Sequence, residues 1–168
     1  MHKLALSAGI VGMLALLPSG ASAGGKPTRA LVGNTPFEFP AGMVCSFGVA
    51  GEPIADNEVT KTFPQLANGD VVQSITGHLT LRLTNVESGK SIVLNVSGPA
   101  SITTHPDGSV TTVSRGEMLG FLFPTDVPAG PASYLYTGRV VANFTPDGQE
   151  TVISHTGTRQ DMCDVLAS

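Results

Sequence analysis

Leucines occupy every second position of His78-Leu79-Thr80-Leu81-Arg82-Leu83-Thr84, with polar groups between them. A period of two over that length predicts a strand with one face buried. The alternation returns in residues 91–97 through Ile92, Leu94 and Val96, after the link Glu87-Ser88-Gly89-Lys90. Two such runs joined by a short glycine-containing segment predict a β-hairpin. Its polar side carries His78, Thr80, Arg82 and Thr84 with Ser91, Asn95 and Ser97. That side is a solvated outer face in a sandwich, or the lining of an interior cavity in a small barrel.

Short apolar or alternating runs separated by turn residues fill the rest of the chain. They predict strands over residues 43–49, 58–63, 71–76, 101–105, 109–114, 117–123, 134–144 and 150–156. Pro-Asp-Gly at 106–108 and again at 146–148 supplies a fixed φ from proline and a positive φ from glycine, which marks two hairpin turns. Residues 124–131 contain three prolines, cannot donate a regular ladder, and are expected as a mobile rim loop. Residues 24–36, rich in glycine and proline, read as an exposed, flexible N-terminal leader. No run shows apolar groups at helical spacing with a cap and a stop, so no helix longer than a turn or two is expected. The fold class is therefore all-β: one antiparallel β-sandwich or small β-barrel of about eight to ten strands.

The first residues add a compartment. Met1-His2-Lys3, an apolar stretch over 4–17 and Pro18-Ser19-Gly20-Ala21-Ser22-Ala23 have the three-part layout of a secretory signal peptide, with cleavage after Ala23. The apolar stretch falls short of the roughly 20 residues that cross a bilayer. The expected division is a signal peptide over 1–23, the leader over 24–36 and a single domain over 37–168, secreted and without a membrane span after cleavage. In an oxidising compartment the two cysteines, Cys45 and Cys163, are expected to pair, bringing the first core strand beside the last segment.

Loss of residues 1–23 removes Lys3 alone among the charged side chains, leaving eight basic against thirteen acidic residues and a net charge of −5. Such a surface repels nucleic acid rather than steering toward it. Threonine, serine, valine and glycine are plentiful, whereas only 13% of residues are charged, a composition suited to strands and tight turns.

Chemistry is harder to find in the chain. His78, His105 and His155 are far apart and join no His-x-His, His-Glu-x-x-His or Cys-x-x-Cys group, so no metal or other cofactor is predicted. No Gly-x-Ser-x-Gly elbow is present, and Gly98-Pro99-Ala100-Ser101 reads as a bend between strands. Glu117 stands out as an acid leading an apolar strand, while Glu52, Asp56 and Glu58 cluster around Pro53 in what reads as a solvated turn without the spacing of a calcium loop. Asn95-Val96-Ser97 and Asn143-Phe144-Thr145 match the glycosylation acceptor pattern.

The Ala21-Ser22-Ala23 signal end, Met43-Val44-Cys45-Ser46-Phe47-Gly48, Leu83-Thr84-Asn85, Ser88-Gly89-Lys90-Ser91 and the Met162-Cys163 ending together resemble small secreted β-proteins of high-GC Gram-positive bacteria. That resemblance implies an exported β-protein and transfers no catalytic or ligand-binding residue. Two functions from different classes are weighed. The first and preferred is a secreted non-catalytic module that binds a small ligand, a cell-wall component or another protein. The second is a hydrolase-like secreted enzyme whose site folding assembles from distant strands, with His78, Glu117 and His155 as its residues. A structural part of the cell surface would instead display a long exposed edge strand.

Overall fold

The computed structural model describes residues 25–168, so the expected signal peptide lies outside the described residues. Eleven strands form two antiparallel sheets that do not close into a barrel, which selects the sandwich over the barrel. The larger sheet has seven strands in the order β1 (Thr28–Leu31), β4 (Val59–Thr62), β5 (Val71–Thr76), β8 (Ala100–Thr104), β9 (Val110–Leu122), β10 (Ala132–Phe144) and β11 (Glu150–Asp161). The smaller has four, β2 (Phe37–Phe39), β3 (Val49–Asp56), β6 (Leu79–Asn85) and β7 (Ser91–Asn95). A helix, α1 (Met162–Ala167), ends the chain.

The leucine alternation does what its period requires. Leu79, Leu81 and Leu83 are buried, and Leu81 and Leu83 stand opposite Leu94 and Ile92 of β7. Arg82 points outward, paired at 2.8 Å with Glu52 of β3. The apolar face of this sheet packs on Leu119 and Phe121 of β9 and on Leu166 of α1. Phe37, Phe39, Phe121 and Phe123 add a cluster of tilted and edge-on rings with centroids 5.0 to 5.7 Å apart.

Three expectations are corrected. The described part of the leader, residues 25–36, is largely exposed, but it is not a free tail: β1 pairs with β4 along its whole length, and Asn34 reaches across to Asp56 and Glu58. Residues 43–48 are not a strand. They cross between β2 and β3 as an irregular segment whose Val44, Cys45 and Phe47 are buried, so their apolar character reports a plug in the core rather than a ladder. The polar stretch of Glu52, Asp56 and Glu58 around Pro53, expected as a solvated turn, lies mostly in β3 instead; the register slips between Pro53 and Ala55, where proline has no N–H to give the ladder.

The expected strands over 109–114 and 117–123 are one strand, β9, interrupted in conformation at Gly116. Gly116 stands opposite Gly138 of β10, and Gly138 opposite Gly157 of β11. All three have positive φ, at 82°, 122° and 103°. A Cβ on Gly138 would lie 2.1 Å from the carbonyl oxygen of Thr156, and one on Gly157 would lie 2.0 Å from that of Thr137. Only glycine fits this line. It divides the three strands into two halves that present different faces to the interior. In the half next to α1 the odd-numbered Leu119, Phe121 and Leu135 pack on the four-stranded sheet. In the other half the even-numbered Thr112, Ser114, Ala142 and Phe144 face a cavity between the sheets.

Cys45 and Cys163 form the disulfide, with Cα atoms 5.5 Å apart across 118 residues of sequence. It fastens the plug between β2 and β3 to α1, whose first turn is capped by the Asp161 carboxylate accepting the N–H groups of Cys163 and Asp164. Asn85 Nδ2 donates to the carbonyl of Leu166 and secures the other end of the helix.

Replacing both cysteines by serine is expected to lower unfolding free energy by up to about 5 kcal/mol, the chain-entropy value for a loop of this length; a loss under about 1 kcal/mol in urea titration would deny the disulfide that role. Gly138→Ala should cost at least about 2 kcal/mol through its clash and its positive φ. Gly89→Ala, at φ 75° with nothing within 4 Å of the added carbon, should cost about 1 kcal/mol. Equal costs at the two positions would refute the fold line.

Candidate functional site

The cavity has a volume of about 210 Å³. Its large-sheet wall is built by Ile75 of β5, Ala100 and Ile102 of β8, Thr112 and Ser114 of β9, and Ala142 of β10. Phe37, Pro53, Leu79 and Leu81 close it from the other sheet, and Val32, Asn34 and Thr35 close it from the segment after β1. Its lining is mostly apolar, with no lysine, arginine or histidine among the described residues. Two carboxyl groups, Glu58 and Glu150, break that apolar surface.

Glu150 owes its place to the second Pro-Asp-Gly hairpin. The turn sets Glu150 opposite Phe144, so the acid falls on the inward face that Ala142 and Phe144 occupy. It is 9% exposed, and its carboxyl takes no hydrogen bond from the described residues. Desolvation, with the neighbouring negative charge of Asp126, pushes its pKa up from 4.5 to about 7. Asp126 comes from the loop over residues 124–131. Only 4% exposed, it accepts the N–H of Phe123 at 2.6 Å and the N–H of Glu150 itself at 2.9 Å. Val127 exchanges backbone hydrogen bonds with β11, donating to Glu150 and accepting from Val152. The loop expected to be a mobile rim is therefore stitched to the strand that carries the buried acid.

Glu58 is 8% exposed and lies just before β4. Burial pushes its pKa upward against the opposing pull of the Asn34 side-chain amide, which donates to it at 3.0 Å. Burial is the largest single influence on Asp56 and pushes its pKa up, but the backbone N–H groups of Glu58 and Asn34 and the Asn34 side-chain amide together outweigh it and hold the carboxyl below its usual range. The acidic cluster expected around Pro53 is thus divided. Glu52 is on the outer face with Arg82, Asp56 ties β1's end to β4's start, and Glu58 alone lines the cavity.

The residues predicted from sequence lie elsewhere. His78 is hydrogen-bonded to Ser97 and Thr80 on the outer face of the leucine hairpin. His155 packs against the Tyr136 ring at 5.0 Å and contacts the carbonyl of Thr158. Glu117 is half-buried in β9, opposite Thr137. No hydrogen bond or ion pair joins any two of His78, Glu117 and His155. His105 braces the first Pro-Asp-Gly turn through Asp70 and Thr111. Asn95 and Asn143 are exposed, on β7 and β10. Among the described residues, no three His, Cys, Asp or Glu side chains gather in a way that would hold a metal ion, and no helix is long and apolar enough to cross a membrane.

Sequence reading missed Glu150, although a signal was present. The residues of a hairpin take their faces from the turn, and counting back from Pro146-Asp147-Gly148 places Glu150 with the apolar series Val140, Ala142, Phe144. No family model matches the chain, and no curated protein or solved structure matches it.

A carboxyl that rises from 4.5 to about 7 on folding binds protons more tightly in the folded state. Its contribution therefore favours the fold fully at pH below 4.5 and is lost as pH climbs through about 7. Across that window stability is expected to fall by up to about 3 kcal/mol. Glu150→Gln should flatten most of that slope in urea midpoints measured from about pH 5 to 8, and should be the more stable protein at the alkaline end. A variant that keeps the whole slope would show that another group causes it.

Proposed function

We propose that the chain is a secreted, non-catalytic binding module that holds a small, largely apolar ligand in the cavity between its sheets. The observation that carries this reading is the cavity itself, an apolar space with a buried and unpartnered carboxyl in its wall. Pockets of this composition use a large apolar surface for affinity and a few polar groups for orientation. The disulfide is what an extracellular or otherwise oxidising environment favours, and the Ala21-Ser22-Ala23 signal pattern supports export. A cell-wall component is included among the expected ligands where a fragment of it fits this volume.

The enzyme reading gains from one observation. A carboxyl poised near neutrality is suited to general acid–base work, and Glu150 has that character whereas His78, Glu117 and His155 do not converge. Its carboxyl, however, is hydrogen-bonded to no hydroxyl or imidazole that it could activate, so binding remains the preferred function.

Native mass spectrometry of protein purified from its own host's medium, beside a denatured and reduced control, tests the proposal. The expected mass begins at Gly24, rises by two hydrogens on reduction, and carries a small molecule that leaves on denaturation. Ala142→Leu, which places a larger side chain in the cavity wall, should abolish that extra mass while leaving the fold intact. A retained Met1 would overturn export. A ligand that survives Ala142→Leu would move the binding site elsewhere, and turnover dependent on Glu150 would replace binding with catalysis.

A further inference from the structure

Glu150 poses a question of charge that the cavity's shape does not answer. A buried carboxyl is ordinarily matched by a cation or by several N–H donors, because its charged form loses its hydration. Here the side chain is 9% exposed and takes no hydrogen bond from the described residues. The nearest charge around it has the same sign: Asp126 is held close by its bond to Glu150's own backbone N–H. Tyr136 of β10 also bears on it, and Glu58 lines the same cavity from beside β4. Neither supplies positive charge, and the lining contains no basic side chain among the described residues.

The space beside these carboxyls is apolar and small. A cavity on the order of 150 Å³ lined by aliphatic and aromatic side chains accepts benzene. One of about 210 Å³ has room for slightly more.

Resting on the binding reading above, we propose that the ligand is a small alkylammonium whose charged nitrogen pairs with Glu150 while its hydrocarbon chain occupies the apolar part of the cavity. A chain of about six to eight carbons suits the volume by comparison with benzene. Pairing ions inside a protein usually brings a desolvation cost for both partners. In this protein one partner is already desolvated before the ligand arrives, so the incoming ammonium removes an existing penalty. The Asp126 charge adds to the attraction. An alcohol of the same length would fill the same space with a weaker polar contact, and a carboxylate would meet two acids. The pairing also has a proton signature: Glu150 is partly protonated near pH 7, and an ammonium beside it drives that proton off.

Calorimetric titration of the intact, oxidised protein at pH 7 with hexan-1-amine, hexan-1-ol and hexanoate tests this. Running each titration in two buffers of different ionisation enthalpy reads the released protons. The expected order places the amine about ten-fold or more tighter than the alcohol, with hexanoate weakest, and shows net proton release for the amine alone. Glu150→Gln should lower amine affinity by about ten-fold or more and leave the alcohol within about three-fold. The three-ligand comparison on the unmodified protein stands even if that variant folds poorly. Binding of the alcohol or hexanoate as tight as that of the amine would overturn the ammonium assignment and leave the apolar cavity as a binding site. Binding of none of the three would overturn both.

Discussion

A hydrogen-bonded sheet can change the face it turns inward only where every strand crossing the fold line tolerates the same unusual backbone, and Gly116, Gly138 and Gly157 meet that condition side by side. The close approach of Gly138 to the Thr156 carbonyl, and of Gly157 to that of Thr137, leaves no room for a side chain at either position. Because the three residues are in register, the pairing of β9, β10 and β11 continues through the line without losing its antiparallel match there. The same long strands can therefore serve two interiors. One half supplies Leu119, Phe121 and Leu135 to the core over the leucine hairpin, with Leu119 and Phe121 also at the cavity's edge, and the other supplies Thr112, Ser114 and Ala142 to the cavity wall.

The two halves differ in how firmly they are filled. Next to α1 the sandwich is sealed by aromatic rings, by the buried plug of Val44, Cys45 and Phe47, and by Leu166. The disulfide joins the plug to the helix, so the chain's first apolar crossing and its last turn restrain each other. Beyond the glycine line no helix or plug of the described residues enters between the sheets. The small side chains of Ala100, Ser114 and Ala142 leave space there instead, and the space is the cavity. Close packing in the first half holds the sheets at a fixed separation, which keeps the second half from collapsing onto its own void.

Local alternation made much of the fold legible. The hairpin of β6 and β7 follows from leucines at every second position, and β5 and the two Pro-Asp-Gly turns lie where their residues predict. What escaped was decided by tertiary contact. Residues 43–48 are apolar enough for a strand but are buried as an irregular plug, while 49–56, with glycine, proline and two acidic groups, are a paired strand. Sequence pattern reports burial more directly than it reports hydrogen bonding, and here the two part company. The glycine line is invisible to any local window because its meaning lies in register across three strands some twenty residues apart. The inward facing of Glu150 can be read from its hairpin turn, but its missing counter-charge cannot, because that depends on what seven other strands bring to the cavity.

A buried acid without a partner weakens the fold that contains it. Glu150 would have been relieved by any of several small changes, such as a lysine among the cavity's lining, an amide donor like the one Asn34 gives Glu58, or a neutral side chain of the same size. The structure does the reverse. Asp126 spends both of its carboxylate oxygens on backbone N–H groups, which fixes a second negative charge beside Glu150 and anchors the loop over residues 124–131. Two acids held together in this way raise the proton affinity of the one that faces the cavity. A group so placed costs stability at neutral pH in the empty protein, and that cost is offset only when something positively charged, or a proton, occupies the position the sequence has left open. The destabilising feature and the binding feature are the same carboxyl, which is why the cavity's selectivity is expected to follow the charge of the ligand's head group more closely than the length of its tail.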